Sequence, residues 1–389
     1  MSLFFIAIFP LLTEEWVFYF YLAQKISILK KIIVSVTNDI STDQRVEKVC
    51  NTLLNAGYEI ILIGKKNKNS KLLQRDYKTK RISVIFKKGI LFYAEFNIKL
   101  FFTLLFLKKD LLLANDLDTL LPNYLVSFLQ RKKIVYDSHE LFPEIPELVN
   151  RPFAKKVWTR LEKIILPTLK NTYTVCNSIA EFYNDKYATD FKTIINLPTK
   201  KEIVKSAFPF NYTDEKIILY QGATNIGRGL ELMIETMHFL ENCVFVIIGD
   251  GDIFETLKEK IIAENLTHKI HFLGRKNPEE LHKLTPLAHL GISIEEDLGL
   301  NYRFALPNKI FDYIQVNVPI LVSDLPEMKK IVLDYKVGEI VADRDPLKLA
   351  NQIKNLLKKD FSIELQKAKE KLIWGHQETL LLSIFKEAK

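Results

Sequence analysis

Short apolar runs alternate with longer amphipathic stretches along most of the chain. The first half predicts a strand at 31–36 and then a helix at 44–56, which Gly57 ends. Further strands are predicted at 59–63, 82–86, 111–114, 133–136 and 173–175. Strands that alternate with helices predict a parallel sheet with right-handed crossover connections.

The pattern weakens at 198–210, where two prolines occur, and then begins again. The second series predicts strands at 216–220, 244–248, 270–272, 290–294, 320–322 and 338–341, and helices at 230–240, 253–264, 279–284, 307–316 and 346–358. Two series predict an α/β chain with two Rossmann-like domains, whose parallel sheets face each other across a cleft. Ligands of such sheets bind beyond the carboxyl ends of the strands, so this cleft is the expected site.

These patterns predict five segments. They are an apolar N-terminal appendage (1–28), a first Rossmann-like domain (29–197), a linker (198–213), a second Rossmann-like domain (214–360) and a C-terminal helical segment (361–389). The appendage has two apolar runs that adjacent acids at 14–15 interrupt, so we expect neither a membrane span nor a signal peptide. An interfacial anchor and an extension ahead of the true start both stay open.

The composition fits two folded domains. The 389 residues are 48% hydrophobic and 26% charged, which excludes a disordered chain. The three cysteines, Cys50, Cys176 and Cys243, are far apart in sequence and form no CxxC pair. We therefore expect no disulfide framework and no cysteine zinc site, and a reducing compartment.

The net charge of +8 is unevenly distributed. Residues 1–200 have 30 basic and 19 acidic side chains, whereas residues 201–389 have 25 and 28. A basic first half indicates an anionic partner such as a membrane surface, or else solvated lysine-rich loops. No nucleic-acid recognition motif accompanies the charge, so we expect no nucleic-acid partner. The apolar stretch 92–107 has two interpretations, a helix packed on the sheet or a helix on a membrane surface.

The most informative stretch runs from Leu306 to Tyr313. Pro307 is expected at the first helical position, followed by Asn308 and Lys309 in the first turn. Exposed N–H groups and the positive helix end favour an anion there, and a lysine adds a mobile cation. Asp312 returns to the same face as Asn308 and can accept hydrogen bonds from sugar hydroxyls. Phosphate and ribose recognised together predict a nucleotide site.

Three glycine turns follow strands of the second series. They are Gly222 in a loop that also contains Arg228, Gly249 before a helix, and Gly274 beside Arg275. Glycine lets a backbone approach a ligand closely, and arginine can bind a diphosphate in a fork. Each turn alone is also typical of an ordinary strand–helix connection.

Polar residues at other strand ends complete the candidate chemistry. One of the three acids at 295–297 is expected to point into the cleft. His139 follows a strand of the first series and can donate to a sugar hydroxyl, although a structural histidine is the alternative. Asn115 and Asp116 are interpreted as caps of the helix that comes after them.

Together these motifs resemble the GT-B retaining glycosyltransferases of family 4, also called glycosyl transferases group 1, over about residues 31–360. The most specific matches are the Arg228-Gly229 turn, the 249–251 turn, and the helix start at 307–309 with Asp312. The resemblance implies a GT-B fold and a metal-independent hexosyltransferase. It would use a nucleoside diphosphate sugar as co-substrate, no further cofactor, and retention at the anomeric carbon.

The resemblance also implies residue roles. Arg228 and Lys309 would hold the diphosphate, Asp312 the ribose hydroxyls, and Gly274-Arg275 would border the base; His139 would lie near the transferred sugar. The predicted catalytic residues are His139, Arg228, Glu295 and Lys309. The predicted donor-binding residues are Gly222, Arg228, Gly249, Gly274, Arg275, Asn308, Lys309 and Asp312, with no metal ligand.

The first domain would bind the acceptor, a lipid-linked or growing surface glycan of polysaccharide biosynthesis. The expected location is the cytoplasm, with peripheral contact at the inner face of the cell membrane. Ala223 replaces a basic residue usual in the family, Asp312 replaces its second glutamate, and Phe304 lies where the first would be. Two alternatives therefore stay open: a nucleotide-sugar epimerase of the same fold, and a non-catalytic protein that binds nucleotide-sugar.

Overall fold

The computed structural model describes residues 30–41, 43–67, 70, 73–145, 148 and 151–388. The predicted N-terminal appendage at 1–28 lies outside the described residues. Strands and helices are numbered in order along the described chain.

The first sheet has seven strands, and the strands whose pairing is described run parallel. They are β1 (Lys31–Ser35), β2 (Glu59–Lys65), β3 (Lys78–Ile82), β4 (Leu111–Asn115), β5 (Lys133–Ser138), β6 (Thr172–Thr174) and β7 (Lys192–Thr193). Their order across the sheet is β3-β2-β1-β4-β5-β6-β7. The helices of this part are α1 (Gln44–Asn55), α2 (Gly89–Phe106), α3 (Leu117–Gln130), α4 (Pro152–Ile165) and α5 (Asn177–Tyr187).

The second sheet has six parallel strands in the order β10-β9-β8-β11-β12-β13. They are β8 (Lys216–Gln221), β9 (Cys243–Ile248), β10 (Ile270–Phe272), β11 (Leu290–Ser293), β12 (Ile320–Val322) and β13 (Gly338–Ile340). The α-helices are α6 (Leu230–Thr236), α7 (Phe254–Ala263), α8 (Pro278–Leu284), α9 (Leu300–Arg303), α10 (Asn308–Gln315), α11 (Pro326–Tyr335), α12 (Pro346–Leu356), α13 (Ser362–Lys371) and α14 (Gly375–Glu387).

The described chain divides into two compact units. The first comprises 30–114 and 118–134, with residue 388, and the second comprises 115–117 and 135–387. In the first unit, the inner face of α2 packs Phe92, Phe96, Leu100 and Leu104 into an apolar cluster with strand residues such as Ile33. In the second unit, two apolar clusters cover the two faces of the six-stranded sheet, so its interior strands are buried on both sides.

The predicted strand at 82–86 is wrong, because β3 runs over Lys78–Ile82. This edge strand carries Lys78, Lys80 and Arg81, the kind of charged surface that keeps a sheet edge from pairing further. The apolar residues after it lie in a loop, where the backbone N–H groups of Ile85 and Phe86 donate to the Glu95 carboxylate at 2.8–3.0 Å. The apolar run was therefore a poor guide to the strand.

Helix α2 is the one helix of the described chain that is long and apolar enough to cross a membrane by length and composition. Core helices of folded proteins pass the same test. The inner face of α2 is packed on the sheet, as one of the two sequence interpretations expected. Its outer face is also largely apolar.

Candidate functional site

The candidate site lies at the carboxyl end of the second sheet. Strand β8 has β9 on one side and β11 on the other, so the connections from it reverse direction at this point. Such a switch point is where parallel sheets bind ligands. The loop at 222–229 comes after β8, and Glu295 lies in the loop after β11. The first turn of α10 supplies Lys309.

Five side chains of the second unit meet here: Tyr220, Arg228, Glu295, Tyr302 and Lys309. We call them the cationic cluster. Lys309 Nζ lies 2.8 Å from Glu295 Oε1 and 3.9 Å from the centre of the Tyr220 ring. The guanidinium of Arg228 lies 3.7 Å from Glu295 and 5.2 Å from the centre of the Tyr302 ring. Two cations therefore share one carboxylate and two aromatic faces.

Glu295 is completely buried within this cluster. Its carboxylate also accepts a hydrogen bond from Ser293 Oγ at 2.8 Å. Burial alone raises the pKa of Glu295, but the ion pairs with Lys309 and Arg228 outweigh burial and hold the pKa below its ordinary value. Glu295 is thus an anion at neutral pH.

Lys309 is only 8% exposed, which is unusual for a lysine. Burial lowers its pKa, and Arg228 lowers it further, whereas the attraction of Glu295 acts in the opposite direction. Removing the Lys309 charge from water without Glu295 would be costly, so the two residues depend on each other.

Pro307, expected as the first helical residue, instead precedes the helix with an extended ψ of 134°, and α10 begins at Asn308.

The glycine turns bring two loops together. A Cβ at Gly249 would lie 1.7 Å from the Gly222 carbonyl oxygen, so no larger residue fits there without moving the backbone. Gly229 has a φ of +75°, and a Cβ there would lie 2.3 Å from the Ile294 carbonyl oxygen. Both glycines are thus required by close backbone approach, which fixes the loop that carries Arg228.

In that loop two buried polar atoms, Arg228 Nε and Thr224 Oγ1, have no hydrogen-bond partner among the described residues. Buried polar groups are normally satisfied. These two atoms are exceptions to that rule.

Asp312 lies beside the end of β8, directly before the same loop. Its carboxylate accepts a hydrogen bond from Gln221 Nε2 at 3.0 Å, and Gln221 Oε1 accepts one from the Thr285 hydroxyl at 2.9 Å. Asn308 is exposed, and its side-chain oxygen accepts a hydrogen bond from Asn196 Nδ2. Asn308 and Asp312, which the sequence places on one helix face, thus have Asn196 and Gln221 as partners.

The three acids after β11 have different surroundings. Only Glu295 contacts the two cations of the cluster, whereas Glu296 lies 3.7 Å from Arg344 and Asp297 pairs with Arg303 at 2.9 Å. Of the three acids, Glu295 is the one in the site. Gly274 and the exposed Arg275 come after β10, an edge strand two places from β8, and no described contact joins them to the cluster.

A second polar cluster surrounds His139. Its Nδ1 lies 3.1 Å from Asp116, and its Nε2 lies 3.1 Å from Asp137. Burial alone lowers the pKa of the imidazole, but the two carboxylates outweigh it and raise the pKa well above the ordinary 6.5. His139 is therefore an imidazolium whose two nitrogens are both engaged. We call these three residues the histidine cluster.

Asp116, which was predicted as a helix cap, contacts His139. It adopts a left-handed backbone with φ of +58°, its N–H donates to the Asp137 carbonyl, and its carboxylate accepts from the His139 N–H as well as pairing with the ring. The sequence contains one indication of this backbone conformation, since aspartate adopts the left-handed region more readily than most residues.

A short helix lies between the two clusters. In α9, Asn301 Oδ1 accepts from the Leu141 N–H at 3.1 Å, and Asn301 Nδ2 donates to Glu140 at 3.1 Å. The next residue, Tyr302, carries Arg228 over its ring and donates its hydroxyl proton to the Ile226 carbonyl. Asn301, which binds the residues next to His139, and Tyr302, which supports Arg228, are therefore neighbours on one helix.

The family profile described as Glycosyl transferases group 1 matches residues 204–372, which include the whole cationic cluster. This part of the chain is similar to the glycosyl transferases group 1 family. An uncharacterised glycosyltransferase of Methanocaldococcus jannaschii is 28% identical over 142 residues, 35% of this chain and 34% of that protein. The alignment thus spans about a third of that relative.

Solved structures resemble most of the chain. Sucrose-phosphate synthase from Thermosynechococcus elongatus is 15% identical, with a TM-score of 0.72 over 92% of this chain and 98% of the other. HepE of Anabaena, in complex with UDP and glucose, is 13% identical, with a TM-score of 0.72 over 92% of this chain and 100% of the other. The fold is therefore GT-B, which confirms the predicted architecture of two parallel-sheet α/β domains.

Proposed function

We propose that this chain, with its GT-B fold and its similarity to the group 1 family, transfers a sugar from a nucleoside diphosphate sugar to a hydroxyl group. The observation that carries this proposal is the cationic cluster at the switch point of the second sheet. It places two cations, Arg228 and Lys309, around a single buried carboxylate. The cluster therefore keeps an excess positive charge at a place suited to an anionic ligand.

A diphosphate fits this charge. Arg228 can turn from Glu295 toward a phosphate while its ring contact with Tyr302 supports the guanidinium, and its Nε has no protein partner among the described residues. Lys309 adds a point charge in the first turn of α10, where helix N–H groups also favour an anion.

The reaction needs stabilisation of the leaving group. The bond between the anomeric carbon and the β-phosphate oxygen breaks, a bond from that carbon to the acceptor oxygen forms, and the hydroxyl proton is released. Negative charge then grows on the departing diphosphate, where Arg228 and Lys309 stabilise it electrostatically. We propose that these cations suffice without a metal ion.

In this proposal Glu295 is a positioning residue. It holds Arg228 and Lys309 in place before the donor arrives, since a buried carboxylate with two cationic partners fixes both side chains. Asp312 and Asn308 would contact the ribose, and Gly274-Arg275 the base. Gly222 and Gly249 provide the close backbone approach.

His139 is proposed to lie against the transferred sugar. As an imidazolium it donates rather than accepts, so it would release one of its two aspartates to bind a sugar hydroxyl or oxygen. Retention of configuration at the anomeric carbon is part of this proposal. It is tested by comparing the anomeric coupling constants of donor and product by NMR.

The acceptor is proposed to be a lipid-linked or surface glycan, bound at the cytoplasmic face of the cell membrane. The basic first half of the chain supports this choice, with 30 basic and 19 acidic side chains among residues 1–200. A hexose donor is proposed, and UDP-sugars are the first to test because HepE was solved with UDP and glucose.

The decisive experiment is thermal stabilisation of the full chain by UDP-, GDP-, ADP- and TDP-sugars. A ligand that binds only the folded state raises apparent stability. The test variant is Lys309→Met with Glu295→Gln, which removes both charges of the buried pair and leaves neither unpaired. The control is Lys329→Ala, since Lys329 pairs with Asp324 on the surface. Stabilisation by one nucleotide class, lost in the double variant and kept in the control, is expected; no stabilisation by any donor would contradict the proposal.

Product analysis separates the remaining functions. A transferase forms a new glycoside only when acceptor is present, whereas an epimerase converts the nucleotide-sugar alone. A non-catalytic binding protein would show donor stabilisation with neither product. Chromatography of a radiolabelled donor, incubated with and without lipid extract, distinguishes the three.

A further inference from the structure

Two neighbouring helices of the first unit carry apolar residues on their outer faces. In α3 every exposed position is Leu or Phe: Leu121, Leu125, Phe128 and Leu129. In α2 the exposed positions are Ile90, Leu91, Ala94, Ile98, Lys99, Phe102 and Phe106. The five large apolar ones among these are 53–80% exposed. This pattern reverses the usual one, in which a helix on a sheet presents polar residues to water.

The two apolar faces are continuous. Asn97 of α2 donates to the Asp118 carbonyl of α3 at 2.9 Å, and Gln130 of α3 donates to the Leu105 carbonyl of α2 at 2.9 Å. These two bonds join the start of α3 to the middle of α2 and the last residue of α3 to the end of α2, so the two helices run in the same direction. The exposed apolar residues of α2 and α3 therefore form one surface, which we call the outer apolar face. Exposed patches of this kind mark interaction sites.

Cations border this face. Lys87 and Lys88 precede α2, and Lys108, Arg131 and Lys133 lie at the other ends of the two helices; all five are exposed. Within residues 83–134 there are eight basic and four acidic side chains. The acid on the face itself, Glu95, is paired with Lys99 at 2.6 Å and also holds two backbone N–H groups.

We infer that the outer apolar face docks on an anionic lipid bilayer, with α2 and α3 lying flat in the interface. Apolar side chains between cations match the acyl boundary and the anionic headgroups of such a surface. A second copy of this chain is a poorer occupant, because apposed faces would bring the two sets of cations together.

The inference extends the proposed function by naming the part of the chain that contacts the membrane. The two are separable, because vesicle binding requires no sugar donor. If the chain failed to bind vesicles, the proposal of sugar transfer would still stand, and if it transferred no sugar, the proposal of a membrane-binding surface would still stand.

The first test is co-sedimentation of the full chain with phosphatidylcholine vesicles that contain or lack phosphatidylglycerol. The variant is Phe102→Gln with Phe128→Gln, two exposed substitutions that leave the core intact. The matched control is Ile262→Gln with Ile363→Gln, which removes two similarly exposed apolar residues from helices of the second unit. We expect binding to the anionic vesicles that falls roughly tenfold or more in the variant alone. Equal binding by variant and control would overturn the inference.

The second test probes the face directly. The native cysteines are all buried, so a polarity-sensitive fluorophore attached through Phe102→Cys reports this position alone. Its emission should shift toward that of an apolar environment when anionic vesicles are added, and a label at Ile262→Cys should not respond. An apolar emission that is already present without vesicles would mean that the chain itself, or a second copy, covers the face, and the inference would fail.

Discussion

Lys309 and Glu295 form an ion pair in which Nζ and Oε1 are 2.8 Å apart, although the glutamate is fully buried and the lysine almost so. Ser293 and Tyr220 complete the surroundings of the pair, and Arg228 approaches the same carboxylate. The pair lies where the second sheet reverses its connections. Charges placed so deep are rarely kept for stability alone, since apolar residues usually stabilise as well or better.

Replacing Lys309 by methionine alone should destabilise the second unit by about 3–5 kcal/mol, because a buried carboxylate loses its nearest cation. Adding Glu295→Gln should restore most of this loss. Urea unfolding of the single and double variants measures the difference. Equal stability of both variants would mean that the pair is screened by solvent.

Replacing Arg228 by lysine should weaken donor binding about 10- to 100-fold, with little loss of stability. Lysine keeps the charge but loses the forked donors and the flat contact with Tyr302. The matched control is Arg303→Lys, an exposed arginine that pairs with Asp297. Calorimetric titration with the nucleotide-sugar that stabilises the chain gives both affinities, and equal affinities would argue against a diphosphate contact at Arg228.

The histidine cluster predicts a pH dependence of stability. The pKa of His139 is raised in the folded protein, so its stabilising effect is complete below the ordinary value of 6.5 and is lost as pH rises through the folded-state value. The stability difference between the native chain and His139→Gln should therefore be largest near pH 6 and shrink at alkaline pH. Urea unfolding over this range checks the slope; a difference independent of pH would show that the ring is neutral.

Replacing Gly249 by alanine should cost at least about 2 kcal/mol and abolish donor binding, because the added Cβ meets the Gly222 carbonyl oxygen at 1.7 Å. The control is Gly375→Ala at the start of α14, where an added Cβ meets nothing within 4 Å. That change should be neutral or slightly stabilising. Thermal unfolding compares the two, and an undamaged Gly249→Ala variant would mean that the loops can separate without cost.

Buried strands were the most predictable part of this fold. The interior strand at 320–322 has the predicted bounds, because its three apolar residues are buried within the parallel sheet. The two edges of the first sheet were less predictable. Strand β3 is rich in charge and β7 has only two residues, so neither gives an apolar signal.

Some members of the cationic cluster were among the predicted residues, but their assembly was not predictable. Local motifs indicated Arg228 and Lys309, since a glycine loop and a helix start each have a recognisable pattern. Their aromatic partners are distant in sequence, since Tyr220 lies 89 residues before Lys309 and Tyr302 lies 74 residues after Arg228. Aromatic rings at such positions are as typical of a core. The pairing of His139 with Asp116 joins two strand ends 23 residues apart, and only the folded sheet brings them together.

Helix α9 has a thermodynamic consequence. Its Asn301 side chain binds the backbone and carboxylate next to His139, and its Tyr302 ring lies under Arg228. A ligand that draws Arg228 away from the ring acts on the same short helix that holds Glu140 and Leu141. Any coupling that results is reciprocal. If a ligand at one cluster changes the affinity of the other cluster for its ligand by some factor, the second ligand changes the affinity of the first by the same factor. Occupancy at the two clusters would then be cooperative, with the sign set by how α9 responds.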